Sequence, residues 1–433
     1  MTSTFTQDDL VRIRADFPEL ARTVRGGRQL VYLDSGATSL KPQVVIDAES
    51  DYYAHYHAAV HRGAHAIAEE ATEAYEQARA TIAGFVGAEV DEIVFTRNAT
   101  ESINLVAYAL SNAVAPGALD GVEESLAARL RVGPGDEIVI TEMEHHANLV
   151  PWQELCRRTG ATLRWVTFDD SGRIPDEAWG EVLSERTKLV SLTQVSNVLA
   201  TRNDVAAVAA KAHAVGALVL VDAAQSVPHM AVDVRSLGAD FVAFTGHKML
   251  GPLGIGVLWG RRELLAAMPP YTTGGSMIEL VRMEKTTYLP PPTRFEAGTP
   301  VVSQSIALAA AARYLCDLGM DKVEAHDQEL MEHALEVAAQ RPWMTVLGPL
   351  EASDRVGALA FTVKDVHPHD VAQILDDSGV AVRSGHHCAG PLHRKLGVTA
   401  STRASFSVYT THDEIDAWAA ALDRIPSIFG VSL

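Results

Sequence analysis

Between about residues 90 and 260 of this 433-residue chain, short β-branched apolar runs alternate with longer Ala-rich segments whose charges are spaced for a helix. No other feature constrains the fold so strongly. Runs that are apolar at every position must be buried on both faces, and strands separated by helical segments pair in parallel. The strands expected from this pattern are 92–96, 137–141, 163–168, 188–194, 218–222, 241–245 and 254–259. Segments 71–85 and 203–215 place Ala, Val and Ile at helical spacing and supply covering layers. The expectation is an α/β fold whose ligands sit at the carboxyl ends of the strands.

Two stretches break the rhythm. Residues 116–135, rich in Gly and Pro around the helical VEESLAARLR, read as a solvated surface insertion. Residues 271–300, with GGSM and LPPPT, read as a long ordered loop of the kind that usually serves function. After Val301, SQSIALAAAARYLCDLG predicts a long helix followed by a smaller α+β unit. At roughly 150 residues per domain, the length fits two or three units.

Composition narrows the function classes. Hydrophobic residues at 47% and charged residues at 21% are ordinary globular usage. Lys+Arg 36 minus Asp+Glu 55 gives −19, so neither nucleic acid nor a membrane surface is an expected partner. The opening MTSTFTQDDLVRIRADF has no continuous apolar run, so no secretory signal is expected and the cytoplasm is the expected compartment. Three cysteines do not make a disulfide framework. Cys156 and Cys316 lie in apolar helical patterns and read as inert core residues.

Asp222 ends one apolar run and Lys248 follows another, so both side chains are expected at one rim of the sheet. An acid and a lysine so placed suit pyridoxal phosphate: the lysine forms a Schiff base and the acid keeps the pyridine nitrogen protonated. The competing reading is a turn cap and a solvated lysine. TRNATESINL opens a helix after a strand and offers backbone N–H groups and the Thr100 hydroxyl to a phosphate, or is an ordinary cap. Thr245 and His247 add donors. His145 and His146 follow a strand end, where an imidazole can stack on an aromatic cofactor and exchange protons. In AVRSGHHCAGPL a Gly-flanked loop presents Cys388 beside imidazoles that favour its thiolate. His386, His387, Cys388 and His393 lack the two-plus-two spacing of a zinc site, and no metal is expected. Arg383 and Arg403 suit a carboxylate, with surface salt bridges as the bland alternative.

Taken together, YLDSGATS, VHRGAH, NATESINL, EMEHHANLVPWQ, VSNVLA, LVDAAQSVPH, FTGHKMLGPLGIGVL, GGSMI, RFEAGTP and VRSGHHCAGPLH resemble the group II cysteine desulfurases. These are the SufS/CsdA type within the class V aminotransferase family of fold-type I pyridoxal phosphate enzymes. The resemblance runs from about residue 16 to 425. It implies a large cofactor-binding domain over 31–300 with a mainly parallel seven-stranded sheet. It further implies a small C-terminal α+β domain over 301–433 that carries the Cys388 loop, and an N-terminal segment, 1–30, packed on it.

Residue by residue, the resemblance makes Lys248 the Schiff-base lysine, Asp222 the partner of the pyridine nitrogen and His145 the stacking, proton-transferring histidine. Asn197 and Gln225 fall near the phenolic oxygen, with Asn197 also beside the substrate. Thr100, Thr245 and His247 hold the phosphate, joined by Thr299 from the second subunit of a homodimer. Arg403 takes the substrate carboxylate with Arg383 beside it, and Cys388 accepts sulfur as a persulfide. The implied reaction converts L-cysteine to L-alanine, passes sulfur to an acceptor of the SufE or SufU type for iron–sulfur cluster assembly, and extends to L-selenocysteine. Two departures stand out: Gln194 where relatives commonly have His, and Ala200 where Gly is frequent. Another class V chemistry, such as β-elimination or epimerisation, would leave Cys388 dispensable. A non-catalytic sulfur or metal carrier would leave Asp222 and Lys248 unexplained.

Overall fold

The structure is a computed structural model and describes residues 4–430. Its centre is a seven-stranded sheet in the spatial order Ile93–Thr96, Gly256–Gly260, Phe241–Thr245, Leu218–Asp222, Thr187–Thr193, Glu137–Thr141, Thr162–Val166. Every neighbouring pair is parallel except those made by Gly256–Gly260, which runs antiparallel to both its partners. All seven strands coincide with the predicted runs to within about two residues.

The uninterrupted apolar runs are explained by the two layers they serve. Val139, Val190, Val219, Val221, Val242 and Phe244 enter one core, against the helices Ala66–Val86, Val205–Ala214 and Val302–Leu318. Their neighbours Ile138, Leu189, Leu218, Leu220, Phe241 and Ala243 enter the other, against Ala99–Asn112 and Val150–Thr159. Successive side chains of a strand point to opposite faces, so a sheet covered on both sides needs an apolar residue at every position.

The C-terminal part builds a four-stranded antiparallel sheet in the order Met344–Leu347, Ala358–Val363, Ser401–Ser405, Arg383–Gly385. The helices Pro368–Asp377 and His412–Leu422 pack with it through Val371, Leu375, Ile415 and Trp418. The N-terminal helix Gln7–Ala15 is tied to this region, because Arg14 donates to the Tyr409 carbonyl and to Glu414 at 2.8 Å. Val31–Tyr32 then pairs in parallel with Val380–Ala381.

Three expectations need correction. The 116–135 stretch holds the helix Glu124–Leu130, but Leu119, Ala127, Leu130 and Val132 are buried in the second core, so it is packed rather than solvated. The 271–300 stretch is not one loop. It contains the hairpin Ile278–Val281/Thr286–Tyr288, with Met283 almost fully exposed near its tip. Cys156 is buried as expected, whereas Cys316 lies on the outer side of the long helix and is exposed.

Candidate active site

Adjacent strand ends deliver the central residues. Thr193 pairs with Asp222, and Asp222 with Ala243 two residues before Thr245. Lys248 closes the short helical turn Gly246–Lys248 that follows directly. Thr193, Asp222, Thr245 and Lys248 line a cavity of about 210 Å³. His145, Asn197, Gln225 and His247 line it from loops after strands of the seven-stranded sheet, and Arg383, Cys388 and Arg403 from the four-stranded C-terminal sheet and its loop. Thr100 lies at the same cavity, in the first turn of Ala99–Asn112. The cap of that helix is Asn98, whose side chain accepts the Glu101 N–H, so Thr100 is left for a ligand rather than for capping.

Thr299 is the one predicted residue that stands elsewhere. It is exposed and lines a separate hollow with Arg97, Thr272 and Gly275. Its segment is anchored by Glu296, whose carboxylate accepts from Arg79 at 2.6 and 2.9 Å, from Tyr75 at 3.0 Å and from the Phe95 N–H at 2.8 Å.

Burial sets the charge states in the cavity. Desolvation holds the Lys248 amine down to about 8; Asp222 and Cys388 pull it the other way, and Arg403 and Arg383 add to the depression. Desolvation likewise raises Asp222, against the Ala224 N–H and Lys248. His145 is pushed down to about 3, by burial first and then by the Lys248 charge. Its Nδ1 accepts the Ala147 N–H at 3.0 Å, so the neutral ring carries its proton on Nε2. His247 is lowered to about 4, again chiefly by burial.

The Cys388 loop is strained and is held by hydrogen bonds from other segments. His387 and Cys388 are consecutive non-glycine residues with φ of 48° and 57°, in the left-handed region that side chains disfavour. Asn197 Nδ2 donates to the His387 carbonyl at 2.6 Å, and the His146 N–H to the Cys388 carbonyl at 2.7 Å. The Gly390 N–H donates to His146 Nε2 at 3.0 Å. Below the loop, Ser401 Oγ lies 3.0 Å from His387 Nε2 and 2.9 Å from His393 Nε2, while His393 Nδ1 faces the Ala389 carbonyl at 2.9 Å. A carbonyl only accepts, so His393 carries its proton on Nδ1, Ser401 donates to His393, and His387 donates to Ser401. Cys388 itself is exposed.

Several contributors escaped sequence reasoning. Gly36, inside YLDSGATS, accepts from Gln225 Nε2 at 3.0 Å and fixes that amide. Buried Glu144 accepts from Thr141 and Asn148, each at 2.6 Å, and from the Thr193 N–H at 3.0 Å, supporting the His145 turn from beneath. Asp34, next to Arg403, was legible only as part of a motif. The two departures are structural: Gln194 Oε1 accepts from Ser226 at 2.6 Å, and Ala200 has the left-handed φ of 59° that glycine suits.

An α/β fold with a buried lysine at the sheet's carboxyl rim is the architecture of the fold-type I enzymes. The chain belongs to the class V aminotransferase family, whose pattern matches residues 31–418. It is 53% identical to a probable cysteine desulfurase 2 of Mycobacterium leprae, over 99% of this chain and all of that one. It is 52% identical to a probable cysteine desulfurase of Streptomyces coelicolor, over 98% of each. The apo structure of a cysteine desulfurase from Thermococcus onnurineus superposes with a TM-score of 0.88 at 37% identity, over 99% of this chain and all of that one.

The cavity fits pyridoxal phosphate, the cofactor of this family. His247 Nδ1 and Asn197 Oδ1 are buried polar atoms without hydrogen-bond partners, and Asp222 is a buried carboxylate that accepts the Ala224 N–H at 3.0 Å. Such groups are costly to bury unless a ligand satisfies them.

Proposed function

We propose that the chain is a cysteine desulfurase of the group II, SufS-like type, converting L-cysteine to L-alanine and holding the sulfur as a persulfide on Cys388. The observation that carries this reading is that Lys248, Asp222 and Cys388 reach one cavity from two domains. Pyridoxal phosphate, when bound, supplies an electron sink for the substrate's α-carbon. Lys248 would hold it covalently, Asp222 would serve its ring nitrogen, and Thr100, Thr245 and His247 would take the phosphate. Gln225 and Asn197 would serve its phenolic oxygen.

Arg403 and Arg383 hold the substrate carboxylate. Once the substrate's amine has displaced it from the cofactor, Lys248 is a free amine that burial holds near pKa 8, partly neutral at physiological pH, and it takes the α-proton. The Cys388 thiolate attacks the substrate sulfur, forming an S–S bond as the C–S bond breaks. The β-carbon keeps that electron pair and takes a proton, Lys248 returns the α-proton, and alanine leaves, with His145 placed beside the reacting carbons to relay protons. The exposed thiol then hands its outer sulfur to an acceptor of the SufE or SufU type, feeding iron–sulfur cluster assembly. The same residues suit L-selenocysteine, whose selenium leaves more readily.

A homodimer completes the reading. Thr299, pinned by Glu296 outside its own chain's cavity, serves the phosphate of a second copy. The domains divide near residues 30 and 300, and the enzyme works in the cytoplasm. Among the described residues no helix is long and apolar enough to cross a membrane. The test is the cofactor's visible absorbance together with alanine release from L-cysteine. Both are expected in wild type and both are lost in Lys248→Ala; normal alanine production by that variant would overturn the assignment.

A further inference from the structure

The carboxylate-binding arginine already has an anion beside it. Arg403 is 2% exposed and donates Nη1 to the Asn197 carbonyl at 2.8 Å, while its Nε and Nη2 have no hydrogen-bond partner. Nη2 lies 3.6 Å from Asp34 Oδ1, a buried oxygen that also lacks a hydrogen bond. That separation is close enough to neutralise charge and too long to occupy the guanidinium's donors.

Asp34 is placed there by backbone, not by chance of rotamer. The Leu33 N–H donates to the Ala381 carbonyl at 2.9 Å and the Ser405 N–H to the Leu33 carbonyl at 2.8 Å, so the segment extends the small sheet beside Arg403's own strand. Ser35 Oγ meets the Tyr409 hydroxyl at 2.8 Å, and the Gly36 N–H donates to Ser405 Oγ at 2.8 Å. A methyl group on Gly36 would stand 3.2 Å from the Arg403 guanidinium and 3.1 Å from Ser405 Cβ, so a larger residue there would press on both by a few tenths of an ångström. Burial raises the Asp34 carboxyl above its ordinary value, and the charges of Arg403 and Arg383 pull it the other way.

We propose that Asp34 is the resident counter-ion of Arg403, a positioning residue that stabilises the empty site and competes with the carboxylate of the incoming amino acid. The proposal rests on the reading of Arg403 as the carboxylate anchor. Two carboxylates sharing one buried cation repel each other, so each weakens the other's hold. Neutralising Asp34 leaves a buried cation uncompensated, which costs folding stability, and makes the same cation a better host for a ligand anion. Stability and affinity therefore move in opposite directions, whereas a residue that merely shapes the site loses both together.

The test uses holoenzyme with Asp34→Asn, Asp34→Ser and Asp34→Glu, measuring KM for L-cysteine, calorimetric Kd for L-alanine, and Tm. The neutral variants are expected to lower KM and the alanine Kd by about three- to tenfold while lowering Tm. Asp34→Glu, which keeps the charge, is expected to bind as weakly as wild type. Unchanged or weakened alanine binding in the neutral variants that fold overturns the proposal. Arg403→Gln separates the two readings: if it retains alanine binding, the carboxylate assignment itself fails; if it loses binding while the Asp34 variants do not tighten, only the counter-ion role fails.

Discussion

Asn197 Nδ2 donates to the His387 carbonyl at 2.6 Å, joining the turn after the strand Thr187–Thr193 to the C-terminal loop that presents Cys388. The bond bears on the first of two consecutive left-handed residues, so it helps hold a backbone that would otherwise relax. Arg403 donates to the same asparagine's carbonyl at 2.8 Å, so one residue ties both the Arg403 guanidinium and the Cys388 loop.

Asn197→Ala is therefore expected to lower alanine production from L-cysteine on the order of tenfold, by loosening a positioned nucleophile. Cofactor absorbance should remain, because Lys248 is untouched. Steady-state kinetics with the visible spectrum of the same sample checks both halves.

Covalent capture of the cofactor by apoenzyme should depend on the neutral Lys248 amine. Burial holds that amine near 8, so the capture rate is expected to climb as pH rises and to level off above about 8. An ordinary exposed lysine, near pKa 10.4, would keep climbing for about two further units. Stopped-flow absorbance of apoenzyme mixed with pyridoxal phosphate between pH 6 and 10 distinguishes the two.

Glu144 carries a stability signature. Burial raises its carboxyl from 4.5 to about 8, so the folded state binds a proton that the unfolded chain has released. Stability from this group is complete below pH 4.5 and is lost as pH rises to about 8. The Thr141 hydroxyl can take the carboxyl's proton, whereas Asn148 Nδ2 and the Thr193 N–H are fixed donors, since Asn148 Oδ1 already accepts from Trp152 at 3.0 Å and Ser191 at 2.6 Å. Glu144→Gln sets an amide N–H₂ against them and is expected to cost about 1–3 kcal/mol in denaturant unfolding near pH 5. The same variant should lack wild type's decline between pH 5 and 8.

Local pattern and long-range assembly explain what could be read from the sequence. The seven strands were legible because double-sided burial writes apolar residues at every position, and Asp222 and Lys248 were legible because they end such runs. Cys316 misled because an Ala-rich helix flanked by apolar residues looks buried all round, although this one presents a single turn to solvent. The 116–135 segment misled because Gly and Pro mark turns without saying whether the leucines between them find a core. Asp34, Gly36 and Glu144 act through partners far away in sequence, such as Arg403 and Gln225, or through burial that only tertiary packing creates. Asn98 took the cap that Thr100 might have filled because its side chain reaches the Glu101 N–H.

The most direct test of the account is paired quantification of alanine and sulfide from L-cysteine and reductant, with wild type and Cys388→Ala side by side. The account predicts equal amounts of both products from wild type. It predicts a loss on the order of a hundredfold or more in the variant, with cofactor absorbance kept. Sulfide accompanied by pyruvate, undiminished in Cys388→Ala, would contradict it and place the chemistry at β-elimination.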